Sequence, residues 1–370
     1  MSLNSNGYAL DKITEIHGKQ FKTPTMMITY SFRDNNPRPW KKIDGISVMT
    51  NAYDIFKQNT LYKRIIKNGI HKELELTDEI CAMDSGGFQF ISRGEDEKIS
   101  AEKVIKLQNA SNTDIAVCLD YPLLSKHSPT EAINLTKKSI NNIKLATTKI
   151  KNNIEVMPVI HGTTVDEVLT FSEKIKKISD FKIWGIGGLV PQMKQKSTSH
   201  KRYFNIIDRV FAARKKINEL GNEKLLHVFG VGSPLAGLLF LLCGADSIES
   251  ISWIMNAKYF LVYQDKIGAR KVSKKTTMCT TSIRWENYDC QCPICKGLSR
   301  EEIEAKMKKR GNEGFQNRAM HNAYVYQDIL SEAREAIFEN RLVELCKDKL
   351  SHHRFFKGIL KYTLEKIGIC

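Results

Sequence analysis

From about residue 26 to residue 250, short apolar runs alternate with longer stretches whose apolar residues recur every three or four positions. The runs Met26–Tyr30, Ile46–Thr50, Cys81–Ser85, Asp114–Asp120, Glu155–His161, Ile183–Leu189, Leu225–Val231 and Ala245–Ser250 read as buried strands. Between them, Ala52–Asn68, Ala101–Asn112, Thr130–Lys151, Val165–Ile178, Tyr203–Leu220 and Pro234–Cys243 read as helices. Only the first connection, with Asn35-Asn-Pro-Arg-Pro, lacks helical periodicity. Eight strands in alternation with helices predict an α/β chain folded as a (β/α)8 TIM barrel rather than an open sheet.

After the eighth strand the pattern changes. Residues 258–284 are basic and rich in Thr and Ser, and a cysteine cluster follows. Two helical segments, Arg300–Lys309 and Asn317–Asn340, come next. The tail from Lys347 is strongly basic, but Phe355, Phe356 and Tyr362 give it an apolar side, which predicts a docked amphipathic helix rather than a free arm. The expected organisation is a barrel core over residues 1–257, a zinc-binding subdomain with closing helices over 258–346, and the basic tail 347–370.

Composition narrows the class. The chain has 370 residues, 42% of them hydrophobic, enough for a sizeable core. No apolar run is long enough for a membrane span, and Met1–Gly7 lacks the charged-then-apolar order of a secretory signal, so a cytoplasmic location is expected. The nine cysteines are odd in number, and three of them cluster at metal-ligand spacing, which suits a reducing compartment. Cys81, Cys118 and Cys243 stand in apolar runs and read as core residues. With 57 Lys and Arg against 41 Asp and Glu, the net charge of +16 favours a polyanionic partner, nucleic acid first; a generically basic surface accounts for it equally well.

Cys290-Gln-Cys292-Pro-Ile-Cys295 and the later His321 supply three thiolates and one imidazole, the complement of a closed tetrahedral zinc site. A closed site leaves the metal no open position, so such a zinc would be structural and the chemistry must lie elsewhere. In a barrel it gathers at the C-terminal ends of the strands. Distinctive residues stand there on six of them: Asp84-Ser85-Gly86-Gly87-Phe88-Gln89, Asp120-Tyr-Pro122, His161-Gly162, Gly187-Gly188-Leu189, Gly230-Val-Gly232-Ser233-Pro234 and Asp246-Ser-Ile-Glu249. Each alone reads as a tight turn or a helix cap. Together they put several carboxylates and glycine-lined walls around one pocket, suited to a flat polar-edged ligand such as a base.

In order and spacing, the Asp84–Gln89 hexapeptide, Gly187-Gly188-Leu189, Gly230–Pro234 and the three-cysteine, one-histidine set resemble the tRNA-guanine transglycosylases, from about Phe21 to the helix after His321. The resemblance implies a zinc-bearing TIM barrel that exchanges guanine in a nucleic acid for a 7-deazaguanine base. One carboxylate would attack the sugar C1′ and another would act as acid and base, with water kept out and the target base unstacked. It further implies Asp84 as the acid/base group and Asp120 as reader of the guanine edge. Ser85, Gly86, Gly187, Gly188 and Leu189 would lie against the base. His161 stands where many members have glutamine; it either hydrogen-bonds the base or serves the structure. A homodimer is a further expectation by resemblance.

The nucleophile position departs from the family pattern G-x-D-x-F-D. Here it reads Gly244-Ala-Asp246-Ser-Ile-Glu249, so Glu249 replaces aspartate with one extra methylene. Asp246, three positions earlier, faces the other way on a strand, which favours Glu249. Ser250–Tyr259 replaces the Leu-Pro-Thr-Arg stretch of bacterial tRNA enzymes, and no length remains for the extra domains of archaeal ones. These departures resemble the DNA-acting DpdA-like branch, and DNA is expected ahead of tRNA. A tRNA enzyme with divergent motifs and a non-catalytic partner subunit are the alternatives. Phosphate contacts are expected from residues 258–284 and from the tail, unless these are simply solvated basic faces.

Overall fold

The computed structural model describes residues 12–33, 35–189, 200–273, 282–283 and 290–369. Strands β1 (Lys12–Ile16) and β2 (Lys19–Thr23) form an antiparallel hairpin. Its two turn residues, His17 and Gly18, have φ of 50° and 80°, the left-handed pair that a two-residue hairpin needs. Then come the barrel strands β3 (Thr25–Thr29), β4 (Ser47–Asn51), β5 (Cys81–Asp84), β6 (Ile115–Val117), β7 (Glu155–Met157), β8 (Val159–Ile160), β9 (Ile183–Ile186), β10 (Leu225–Val228) and β11 (Ser247–Ser250).

These nine segments are parallel neighbours in the order β7-β6-β5-β4-β3-β11-β10-β9-β8. The two ends of that list are halves of one strand, interrupted at Pro158, which has no N–H to give. Its carbonyl accepts from Gly185 N at 2.8 Å, while Met157 O accepts from Cys118 N at 3.0 Å. The broken strand therefore serves both neighbours and closes the ring, giving the eight-strand barrel that the alternation predicts.

Side chains alternate across the wall as a strand requires. Met27, Met49, Ala82, Ile115, Val117, Met157, Val159, Ile183 and Leu225 point inward and form one buried cluster, while Met26, Ile28, Val48 and Cys81 pack outward against the helices. Ile16 and Phe21 of the β1–β2 hairpin join the inner cluster, so the hairpin fills the N-terminal end of the barrel.

The predicted helix Ala52–Asn68 is in fact two, Ala52–Phe56 and Asn59–Asn68, broken at Lys57 and Gln58. Most strands end earlier than predicted, where the chain leaves the ladder to form the site; β4 runs one residue further, to Asn51, and β11 ends at Ser250 as predicted. The hairpin β1–β2 and the short helix Gly87–Ser92 were not predicted.

Pro234–Leu242 (PLAGLLFLL) is buried on every side. A helix apolar all round must be covered, and the tail does so: Leu342–Leu350 and Phe356–Lys366 pack on it. Each buried leucine contributes about 1.5–3 kcal/mol. Tyr362 also stacks on Phe204, with ring centroids 4.0 Å apart and planes at 13°. The tail is thus a docked helix, as its apolar side predicts. After the barrel, β12 (Leu261–Gln264) and β13 (Gly268–Lys271) form a second hairpin against the long helix Gly311–Phe338. In the basic stretch 258–284, residues 274–281 and 284 lie outside the described residues, as does Met1–Gly7. Among the described residues no helix is long and apolar enough to cross a membrane.

Candidate active site

A cavity of about 420 Å³ opens at the C-terminal end of the barrel, and Asp84, Asp120 and Glu249 all line it. Asp84 ends β5 opposite Asn51, which ends β4. Asn51 caps the next helix through its Oδ1, which accepts from Tyr53 N at 2.9 Å, and its Nδ2 donates to Asp84 Oδ2 at 2.6 Å. The chain then turns sharply at Gly86, whose φ is 77°. A Cβ there would meet Tyr53 N at 2.7 Å, so glycine is required by both conformation and space.

Burial, then the nearby Asp120 and Glu249 carboxylates, push Asp84 up to about 8, so it holds a proton near neutral pH. The folded chain keeps that proton where an unfolded one has released it. The stability cost therefore grows as pH rises from 3.8 to about 8. Asp84→Asn is expected to raise Tm, by more near pH 8 than near pH 5; calorimetry giving equal gains at both would refute the buried proton.

Glu249 lies on β11, with one carboxylate oxygen accepting from Gly230 N at 2.6 Å and the other from the Thr29 hydroxyl. Burial raises its pKa, and these two donors hold it down. Asp246 points into the opposite wall, accepting from Arg214 Nη1 at 2.7 Å, Leu226 N at 2.8 Å and Lys12 Nζ at 3.2 Å. It is 1% exposed and structural. The alternation argument thus separates the two acidic groups correctly.

Asp120 accepts from Ser85 Oγ at 3.3 Å and bonds His161 Nε2 at 2.6 Å. Ser85 and His161 are buried behind the cavity wall, and so is Leu189. Of the residues expected to touch a base, Asp120, Gly187 and Gly188 line the cavity, whereas Ser85, Gly86, His161 and Leu189 do not. His161 packs under Gly187, where a Cβ would come within 2.8 Å of its Cε1. Several lining residues had no site role in the sequence reading, among them Thr29, Asn51, Phe88 and Phe229. Phe88 was visible within the hexapeptide; nothing in the chain's pattern marked Thr29. Phe88, Ile251, Met255 and Tyr259 are each 39–42% exposed and all stand at this mouth. Exposed apolar groups gathered at one place mark a surface built to be covered.

Cys290, Cys292, Cys295 and His321 offer donor atoms within 4.8 Å of one another. His321 Nδ1 lies 3.3 Å from Cys290 Sγ, and its Nε2 bonds the Tyr263 carbonyl at 2.8 Å. That bond turns Nδ1 toward the three sulfurs, the usual way an imidazole is fixed toward zinc. Three thiolates and one imidazole, surrounded by Val262, Val272, Ile303 and Met307, fit a structural zinc ion.

The Tyr263 ring reaches back to the active site. Its hydroxyl bonds Ser252 Oγ at 2.7 Å and donates to Gly232 O at 3.4 Å; Ser252 Oγ also meets Tyr326 OH at 2.9 Å. One tyrosine thus touches both the metal-ligand set and the Gly230–Gly232 loop.

The described residues thus build a closed parallel α/β barrel with three carboxylates in its C-terminal mouth and, beside it, a Cys3His cluster that could hold a metal ion. The family model for queuine tRNA-ribosyltransferase, abbreviated TGT, matches residues 7–354, and the chain belongs to that family. It is 25% identical over 356 residues to the tRNA-guanine(15) transglycosylase of Pyrococcus furiosus, covering 95% of this chain and 56% of that protein. To the Methanococcus aeolicus protein of the same name it is 27% identical over 363 residues, 95% of this chain and 52% of the relative. The Methanopyrus kandleri protein gives 24% over 351 residues, 94% and 71%. The chain spans just over half the length of the first two.

Proposed function

We propose that this chain exchanges guanine in a nucleic acid for a 7-deazaguanine base through a covalent glycosyl-enzyme. The observation that carries the reading is the meeting of Asp84, Asp120 and Glu249 in one cavity. Glu249 attacks the sugar C1′; the bond from C1′ to guanine N9 breaks, and its electron pair leaves with the base. Asp84, protonated near neutral pH, gives its proton to the departing guanine. It then takes the N9 proton of the incoming base as that nitrogen attacks C1′ and frees Glu249. Asp120, fixed by Ser85 and His161, accepts from N–H groups on the base edge. Phe88 and Phe229 offer apolar faces for the ring, and a base held there has left its stack. Zinc, bound by Cys290, Cys292, Cys295 and His321, would brace the fold and supply no chemistry to the reaction.

The named relatives are tRNA enzymes, which favours tRNA as substrate over the DNA preference read from the sequence. DNA stays as a second reading for one reason: Ser250–Ser252, Met255 and Tyr259, which line the mouth, belong to the segment that departs from the bacterial tRNA pattern. The test incubates the protein with preQ0 and either unmodified bulk tRNA or plasmid DNA, then digests to nucleosides for mass analysis. Deazaguanosine in tRNA supports the first reading, and deoxynucleoside product the second. No product in either, with the purified protein folded and metal-loaded, would leave the non-catalytic alternative.

A further inference from the structure

A second cavity, of about 470 Å³, lies beside the first and belongs to none of the groups discussed so far. Its walls come from the two helices following β4 and the helices following β5. In a closed α/β barrel the C-terminal ends of strands and the starts of the next helices share one side of the molecule. This cavity is therefore on the same side as the active-site mouth. The short helix Gly87–Ser92 separates the two: Phe88 and Gln89 face the first cavity, and Phe90 faces the second.

Its lining interleaves aromatic rings with cations. Phe56 and Tyr62 stack at 5.9 Å with planes 29° apart, and Phe90 lies 6.4 Å from Phe56. Both Phe56 and Tyr62 keep part of their surface in solvent. Around them stand Lys57, Lys98, Lys103 and Lys106. Lys57 and Lys98 share the Glu95 carboxylate. Lys103 reaches only the Lys98 carbonyl, at 3.2 Å, and Lys106 makes no ion pair among the described residues. Four lysines against one carboxylate leave a positive excess. A solvated basic face explains the lysines but not the aromatic floor beneath them. Stacking rings beside cations are the chemistry that holds single-stranded nucleic acid.

We infer that this second cavity binds a nucleotide flanking the exchanged one on the same strand, its base against Phe56 and Tyr62 and its phosphate at Lys103 and Lys106. The inference rests on the proposed nucleic-acid exchange, and it adds that the substrate strand runs across the helix Gly87–Ser92 toward β4.

The test compares wild type with the exposed double substitution Lys103→Ala/Lys106→Ala and with Tyr62→Ala. Binding of fluorescein-labelled unmodified tRNA is followed by anisotropy over a salt series, and exchange is followed by incorporation of radiolabelled guanine. The double variant should bind about tenfold more weakly, and its plot of log affinity against log salt should be shallower by about 0.7, the share of one phosphate on a single strand. Tyr62→Ala should weaken binding by roughly tenfold with little change in salt slope. In both, KM for the nucleic acid should rise while KM for the free base and kcat stay within about twofold. Unchanged affinity and salt slope in the lysine variant, whose surface changes leave folding intact, would overturn the subsite. Wild type that binds tRNA without exchanging a base, with binding still weakened in the variants, would sink the proposed reaction and keep the subsite. Wild type that binds neither tRNA nor single-stranded DNA would overturn the subsite outright.

Discussion

Glu249→Gln loses base exchange by on the order of 10⁴-fold or more while the protein stays folded. The amide keeps the size and one acceptor oxygen of the carboxylate, so the bonds from Gly230 N–H and the Thr29 hydroxyl can be met in part. What disappears is the anion proposed to attack C1′. Removing a buried charge should leave Tm unchanged or slightly higher, since burial already disfavours the ionised form. Wild type mixed with tRNA should give a protein–RNA adduct stable on a denaturing gel, and Glu249→Gln should give none. Glu249→Asp draws the carboxylate back by roughly 1.5 Å, one bond length. It should lose about 10²-fold in kcat, because attack geometry is sensitive on that scale. A Gln variant that still exchanges bases, or still forms the adduct, would remove Glu249 from the nucleophile's role. An Asp variant more active than wild type would mean that the extra methylene is a handicap rather than a fitted change.

Removing a metal ligand is expected to have the second-largest effect. Cys295→Ser should bring bound zinc, measured by mass spectrometry after dialysis, from about one ion per chain to near zero. Cys295 is 1% exposed and sits in a small cluster apart from the barrel core, with Cys292, Ile303 and Met307. Tm should fall by roughly 5 °C or more. The effect should also reach the reaction. His321 is tied to the Tyr263 carbonyl, and the Tyr263 hydroxyl is tied to Ser252 and Gly232, next to the Gly230 N–H that holds Glu249. A strong chelator acting on wild type should therefore lower kcat before the barrel melts, as judged by far-ultraviolet circular dichroism. Protein that purifies without zinc and whose Tm ignores chelator would show that the four donors are not a metal site.

The barrel was legible because each strand is a short apolar run and each helix carries its own period; both signals are local. The carboxylate triad was legible for a related reason: a polar group at the end of an apolar run stands out. Other features depend on partners far away in sequence. Thr29 matters only because β3 pairs with β11, bringing its hydroxyl to Glu249. The support that Ser85 and His161 give Asp120 across the wall cannot be told from direct contact with a ligand until the wall is seen. The Ala52–Asn68 stretch kept an apolar period across its break, so periodicity alone ran the two helices together. The β1–β2 hairpin was missed because Lys12–Thr23 is mostly polar, with two apolar residues, Ile16 and Phe21, turned inward.

That hairpin has a consequence for the order of events. With Ile16 and Phe21 filling the lower end, the described residues open the chamber at the upper mouth, where the proposed substrate strand would lie. In the exchange proposed above, guanine would leave past the strand to which its own sugar belongs before its replacement came in by the same route. The two bases would then take turns, each a competitor of the other for the one seat. Between the two occupancies the sugar would be parked on the protein, and the nucleic acid itself would be the stopper that keeps water from the empty seat.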